Sequence, residues 1–172
     1  MKPWWTDPVA APATVLRLRV LLALGVAALA APPDGDVRTS WLAENAIRIE
    51  SLAADAELDD LEPMADAVGD ARLVLLGEQT HGDGTTFAAK IRLIRFLHER
   101  MGFDVLVFES GMYGCREADR AFSAGKVSSI NAANEGVFPI WTLSAQLVPL
   151  WEYVAEQRRG ETPLELAGYD CQ

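Results

Sequence analysis

Residues 72–77 read Arg-Leu-Val-Leu-Leu-Gly, and residues 103–108 read Phe-Asp-Val-Leu-Val-Phe. Short, continuous apolar runs of this kind are typical of strands buried on both faces of a parallel sheet. Between them, residues 86–101 carry an apolar stripe of helical period and stop before Gly102. A strand, a helix and a strand joined at this length predict a right-handed βαβ unit.

Working outward from this unit, residues 164–169 form a weaker third apolar run that predicts another strand. A helical insertion from Met112 to about Gly160 precedes it, and Pro139 and Pro149 should break or kink that insertion. The predicted fold class is α/β: a mostly parallel sheet with flanking helices and a helical insertion. Three candidate strands are few for a covered parallel sheet, so we expect an incomplete fold.

Two helices are predicted ahead of the first strand. Ser40 is a candidate N-cap for a helix over residues 40–49, and residues 60–69 indicate a short helix that ends at Gly69.

Composition excludes several classes of protein. The 172 residues are 50% hydrophobic and 23% charged, which describes a globular chain rather than a disordered one. The net charge is −10, and no basic patch is evident, so a nucleic-acid partner is not expected. Cys115 and Cys171 could pair in an oxidising compartment or remain free thiols, and their spacing does not match a zinc ribbon.

The N-terminal segment resembles an export signal. Residues 20–31 form an apolar run of twelve, preceded by Arg17 and Arg19 and ending near Ala-Leu-Ala at residues 28–30. This pattern predicts a secretory signal peptide over residues 1–30, with an uncleaved N-terminal anchor or a buried alanine-rich helix as alternatives. Twelve residues are too few to span a bilayer, so no stable membrane span is expected after signal removal.

The predicted organisation therefore has three parts. Residues 1–30 are the signal or anchor, residues 31–39 a linker, and residues 40–172 the α/β domain. The expected location is exported, periplasmic or extracellular, and cytoplasmic if the first segment is not a signal.

Candidate functional residues lie directly after the predicted strands, where open parallel sheets bind ligands. Glu78 and His81 follow the first run, Glu109 follows the second, and Asp170 and Gln172 follow the third.

The spacing of Glu78 and His81 leaves three interpretations open. A carboxylate beside an imidazole orients the ring and raises its basicity, as a general base requires. The same pair could hold a metal ion with Glu109 as a third ligand. Alternatively, Glu78 caps the following helix and His81 is a solvated loop residue.

Other residues carry weaker signals. Lys90 could orient a carboxylate or bind an anionic group, or it could be a surface lysine. Ser110 is a conceivable nucleophile, although it lacks the Gly-x-Ser-x-Gly context. His98 is interpreted as a boundary or surface histidine, and Trp141 and Trp151 as cleft or core residues.

The motifs together resemble the erythromycin esterase-like family. Residues 76–82 read Leu-Gly-Glu-Gln-Thr-His-Gly; the helix with Phe87, Arg92 and Phe96, then Gly102-Phe103 and Phe108-Glu109, follow. The closing residues 168–172 resemble the family's Gly-x-Asp-x-Gln strand end. The resemblance covers roughly residues 40–172, and it implies that they are the N-terminal part of a larger α/β hydrolase.

This resemblance implies metal-independent hydrolysis of an ester or lactone by a histidine-activated water. Carried over by position, His81 is the candidate base, and Glu78 and Glu109 are its carboxylate partners. Lys90, Asp170 and Gln172 are assigned to substrate binding, although macrolide esterases have arginine where this chain has Lys90. The family also uses a second, downstream histidine that lies beyond this sequence.

The sequence thus predicts an esterase-type hydrolase acting on a small-molecule ester or lactone, with no cofactor or metal and an expected link to antibiotic response. The alternatives are a non-catalytic exported ligand-binding envelope protein and a metal-assisted hydrolase using Glu78, His81 and Glu109. The exact substrate and the oligomeric state are left open.

Overall fold

The computed structural model describes residues 35–78 and 80–171, and its contacts divide the chain into units 1–46 and 47–172. In the first unit, helix α1 spans Gly35–Asn45. Ser40 therefore lies inside the helix instead of capping it, and residues 35–39, predicted as linker, are helical. The predicted signal or anchor over residues 1–30 lies outside the described residues. No helix within the described ranges has the length and apolar character needed to cross a membrane.

The second unit alternates helices with two strands. Its elements are α2 (Pro63–Val68, after a 3-10 turn at Asp59–Leu61), α3 (Gly84–Met101), β1 (Val105–Gly111), α4 (Met112–Ala124), α5 (Ser129–Asn134), α6 (Pro139–Thr142), a 3-10 turn at Ala145–Leu147, α7 (Val148–Gln157) and β2 (Glu165–Asp170).

The two strands are parallel, as predicted. Val105 of β1 is in register with Glu165 of β2, and the pairing continues to an irregularity before Gly111, which stands opposite Asp170. The carboxyl ends of both strands therefore lie at one edge of the sheet. The predicted α/β class, with a parallel sheet, flanking helices and a helical insertion, is confirmed.

The predicted first strand is wrong. Residues 72–77 form no helix and belong to neither strand of the sheet in the described structure. Leu73 and Leu75 are 70% and 80% exposed, while Leu76 packs against the core. A strand needs a neighbour for its backbone groups and cover for its side chains, and an apolar run by itself supplies neither.

Helix α3 lies where the sequence places it and begins two residues earlier than predicted. Phe87, Ile91 and Ile94 fall on its core-facing stripe. The helix ends at Gly102, whose φ of 74° is the left-handed conformation that glycine adopts without a side-chain clash.

The helical insertion packs on β1 through aromatic rings. Pro139 and Pro149 stand in the first turns of α6 and α7, where proline's missing N–H has no cost, so they divide the insertion as predicted. The Trp151 ring centroid lies 5.2 Å from that of Phe108 on β1 and 6.4 Å from that of Phe122 on α4. Trp151 and Phe122 are both fully buried.

Arg92 attaches the segment before α2 to helix α3. Its guanidinium is 1% exposed and binds the Asp60 carboxylate through two nitrogens, at 2.8 and 2.6 Å. It also donates to the backbone carbonyls of Ser51 and Glu57. The hydrogen bonds from Arg92 are the largest cause that lowers the pKa of Asp60, to about 2.

Replacing Arg92 with Met should lower the free energy of unfolding by about 3 kcal/mol, because a buried pair loses one partner. Urea denaturation measures the change. Arg100→Met is the matched control, since Arg100 forms an exposed pair with Asp59 at 3.3 Å. Its replacement should lower the free energy of unfolding by about 0.5 kcal/mol or less.

The same variant should change the response to acid. Because the pKa of Asp60 is lower when folded than the unfolded value of about 3.9, its stabilisation is present above that value and is lost as the pH falls toward about 2. Arg92→Met should lose most of this part of the acid dependence, because only the backbone N–H groups of Glu50 and of Asp60 itself would still lower the pKa of Asp60. An unchanged acid profile would contradict the assignment.

A close backbone contact joins α4 to the segment after α5. A Cβ on Gly136 would lie 1.9 Å from the carbonyl oxygen of Gly114. Gly136→Ala should therefore destabilise the protein by about 2 kcal/mol in thermal unfolding, since backbone must move. Gly160→Ala is the control, because its nearest neighbour would lie at an ordinary 3.4 Å. Equal stability of the two variants would contradict this expectation.

Candidate active site at the entrance to helix α3

The centre of the candidate site is the Glu78 carboxylate, which stands between a lysine and a histidine. Lys90 Nζ lies 2.5 Å from Glu78 Oε2, and His81 Nδ1 lies 2.5 Å from Glu78 Oε1. The Glu78 side chain is 9% exposed, whereas that of His81 is 52% exposed. The three side chains form a chain of contacts from a shielded ammonium to an accessible imidazole.

Asp83 fixes the local backbone that makes this arrangement possible. Its Oδ1 accepts from the backbone N–H of Thr85 at 3.0 Å, and its Oδ2 accepts from Thr86 Oγ1 at 2.6 Å. The hydroxyl of Thr86 is the largest cause that lowers the pKa of Asp83. Asp83, and not Glu78, is therefore the N-cap of α3, and the interpretation of Glu78 as the cap is wrong.

The electrostatics favour an ionised Glu78. Burial is the largest single influence and opposes ionisation, but hydrogen bonds and charge interactions with Lys90 and His81 together outweigh it, so the pKa of Glu78 is lowered. A carboxylate at neutral pH is the form that accepts from His81 and attracts Lys90.

The contact with Glu78 sets the tautomer of His81. A carboxylate can only accept, so the neutral imidazole carries its proton on Nδ1 and leaves Nε2 unprotonated. An unprotonated nitrogen on a half-exposed ring can take a proton from water or a ligand.

Trp141, interpreted from the sequence as a cleft or core residue, is the second partner of His81, and its contact with the imidazole was not predicted. The two rings meet edge to face, with centroids 5.3 Å apart and planes at 90°. Trp141 also packs on Phe87 and Phe108, and its Nε1–H donates to the backbone carbonyl of Glu109 at 3.2 Å. No local motif could reveal the contact, because Trp141 lies sixty residues beyond His81.

The structure does not bring the third predicted carboxylate to the pair. Glu109 is exposed and alternates along β1 with Phe108, which faces the core. Among the described residues, the Glu109 carboxylate forms no hydrogen bond or ion pair with Glu78 or His81. In residues 35–78 and 80–171, no three His, Cys, Asp or Glu side chains are grouped as metal ligands.

The residues assigned to substrate binding have different surroundings. Lys90 is directed to Glu78, so its ammonium orients a carboxylate, which was one of its two predicted roles. Asp170 ends β2 opposite Gly111, half-buried, at the same sheet edge as Glu109. Gln172 lies outside the described residues. The catalytic and binding roles of these residues stay predictions.

The remaining candidates are structural. Ser110 is fully buried and its Oγ accepts from the backbone N–H of Phe138 at 3.1 Å, so it is enclosed. His98, expected at a boundary or surface, is buried, with Nδ1 2.6 Å from Tyr153 Oη and Nε2 3.0 Å from the Thr162 carbonyl oxygen. Cys115 is buried, Cys171 is exposed, and both are free thiols.

Known bacterial proteins are similar to this chain in sequence. No family model matches the chain. Its sequence is 32% identical over 132 residues to "Putative hydrolase YbfO" of Bacillus subtilis (strain 168), covering 77% of this chain. It is also 34% identical over 71 residues to "Erythromycin esterase type II" of Escherichia coli, covering 41% of this chain.

Two crystal structures share the fold. One is a Bacillus cereus protein with a TM-score of 0.71 and 27% identity over 81% of this chain. The other is a succinoglycan biosynthesis protein with a TM-score of 0.70, 19% identity and the same coverage. The chain spans 28% and 17% of the two curated relatives, and 34% and 36% of the two solved chains.

Lys90→Met should raise the pKa of Glu78, because it removes the hydrogen bond that opposes the effect of burial most strongly. Carbon-13 NMR titration of the side-chain carboxyls measures the shift. Lys126→Met is the matched control, since Lys126 is exposed and distant in sequence. An unchanged Glu78 titration in Lys90→Met would show that the pair does not hold in solution.

Proposed function

We propose that the protein is a hydrolase that cleaves an ester or lactone in a small molecule, which its similarity to a hydrolase and to an erythromycin esterase supports. His81 is the general base that activates the attacking water. The observation that carries the proposal is the 2.5 Å contact between Glu78 and His81 Nδ1 on a half-exposed ring. It leaves Nε2 unprotonated and accessible.

The reaction follows from the protonation states. Glu78 accepts the Nδ1–H of His81, and Nε2 takes a proton from water as that water attacks the ester carbonyl. The imidazolium that forms is stabilised by the adjacent carboxylate. When the tetrahedral intermediate collapses, Nε2–H returns the proton to the departing alkoxide. A positioned base of this kind contributes roughly 10²–10⁴-fold to the rate.

Lys90 acts on this reaction through Glu78. Its ammonium balances the negative charge of a carboxylate that is 9% exposed, and so keeps Glu78 in the form that accepts from His81. Glu109 and Asp170, at the nearby strand ends, are proposed to contact substrate or water from the sheet edge.

The name of the Escherichia coli relative directs the choice of substrate. We propose a small-molecule ester or lactone, with the macrolide lactone as the first candidate and a role in antibiotic response as its consequence. A metal-assisted route through Glu78 and His81 is the competing mechanism, and metal content of the purified protein distinguishes it.

The purified chain should hydrolyse p-nitrophenyl acetate or erythromycin, and His81→Ala should lower the rate by about 10²-fold or more because the base is removed. Spectrophotometry follows the first substrate and mass spectrometry the second. Glu78→Gln should also lower the rate. Its matched control, Glu161→Gln, should not lower the rate, because Glu161 is an exposed loop residue.

Undiminished hydrolysis by His81→Ala would overturn the role of His81. Saturable binding of erythromycin without turnover would instead support the ligand-binding alternative. Activity that is lost with a chelator and restored by zinc or manganese would support the metal-assisted route.

A further inference from the structure

We propose that Trp141 is a positioning residue for His81: its indole fixes the plane of the imidazole so that Nδ1 remains on Glu78 and Nε2 faces the substrate. The catalytic part of this inference rests on the proposed function, but the geometric part does not. The observation that supports the inference is the perpendicular contact between the His81 and Trp141 rings, whose centroids are 5.3 Å apart.

A single hydrogen bond does not fix the plane of an imidazole. The contact with Glu78 Oε1 holds Nδ1, but the ring could still tilt about that contact, or break it by turning over about the Cβ–Cγ bond. With 52% of its side chain exposed, His81 has room for both motions. An aromatic neighbour at 90° opposes them because edge-to-face contacts depend on the angle between the rings.

Trp141 can oppose these motions because it is itself held from several sides. It is 8% exposed, and its ring packs on Phe87 of α3 and Phe108 of β1, at 5.9 and 5.7 Å between centroids. Its Nε1–H donates to the backbone carbonyl of Glu109. The indole thus has fixed contacts to the helix that carries Lys90 and to the end of β1.

The charged groups that face His81 do not supply this restraint. Glu78 contacts Nδ1, and Lys90 lies on the far oxygen of Glu78. Glu78 therefore contacts the imidazole at Nδ1 alone and Lys90 acts only through Glu78, whereas Trp141 meets the ring edge to face. The two contributions are therefore separable by mutation.

The two histidines of the chain make the test direct. In nitrogen-15 NMR of the full chain, each histidine gives one pair of ring nitrogens. His81 should carry its proton on Nδ1, bound to Glu78, whereas His98 should carry a proton on Nε2, bound to the Thr162 carbonyl. His98 is the internal reference, because it packs on Tyr153 and has no ring contact with Trp141.

Trp141→Leu should shift the tautomer ratio of His81 away from Nδ1–H by about two- to tenfold, the size that an edge-to-face contact contributes. It should leave His98 unchanged. Trp141→Phe keeps an aromatic ring but loses the hydrogen bond to Glu109, so it should retain most of the His81 ratio.

Trp151→Phe is the matched control for general loss of packing. Trp151 is a buried tryptophan of the same core that packs on Phe108 and Phe122 instead of His81. It should destabilise the protein without moving the His81 tautomer. An unchanged His81 tautomer in Trp141→Leu, or an equal shift in Trp151→Phe, would overturn the proposal.

Two further measurements test the role of Trp141 when the variant does not fold or when turnover can be measured. If Trp141→Leu does not fold, nuclear Overhauser contacts between the His81 and Trp141 rings of the unmutated chain must be present, and their absence overturns the proposal. Where hydrolysis is measurable, Trp141→Leu should lower kcat and leave KM nearly unchanged. A chain without hydrolytic activity would defeat the proposed function alone, because the NMR result does not depend on turnover.

Discussion

The packing of two tryptophan rings on Phe108 is the contact on which the rest of the second unit depends. Trp151 comes from α7 and Trp141 from α6, and both lie against the same residue of β1. The helical insertion is thereby attached to the sheet, and the hydrogen bond from Trp141 to the Glu109 carbonyl places α6 beside the carboxyl end of β1. Trp141 then extends the same aromatic cluster to His81, so the candidate site is continuous with the core.

A largely buried carboxylate imposes the second constraint. Glu78 would be unfavourable as an anion without partners, because burial removes its hydration. Lys90 and His81 supply those partners, and together they lower its pKa in spite of burial. The contacts of Glu78 with Lys90 and His81 therefore also keep the carboxylate ionised. The cap at Asp83 starts α3 in the register that brings Lys90 to Glu78.

The candidate site combines a local part with a distant part. Glu78, His81 and Lys90 lie within thirteen consecutive positions and are brought together by a loop and the first turns of a helix. Glu109 and Asp170 lie at one edge of the sheet because the parallel strands end there, and among the described residues neither carboxylate forms a hydrogen bond or ion pair with the local group. The chain spans 28% of its Bacillus subtilis relative, so the activity of such whole proteins is a proposal for this chain.

The sequence by itself determined the features that depend on nearby residues. Helix α3 with its stop at Gly102 and two strands, predicted over residues 103–108 and 164–169 and found at 105–111 and 165–170, follow from periodicity. The spacing of Glu78 and His81 allowed their contact as one of three interpretations. Only the tertiary structure decided that residues 72–77 are not a strand, that Glu109 stays apart from His81, and that Trp141 packs against the imidazole. Each of these depends on which distant surface is available as a neighbour, and a local pattern holds no information about that.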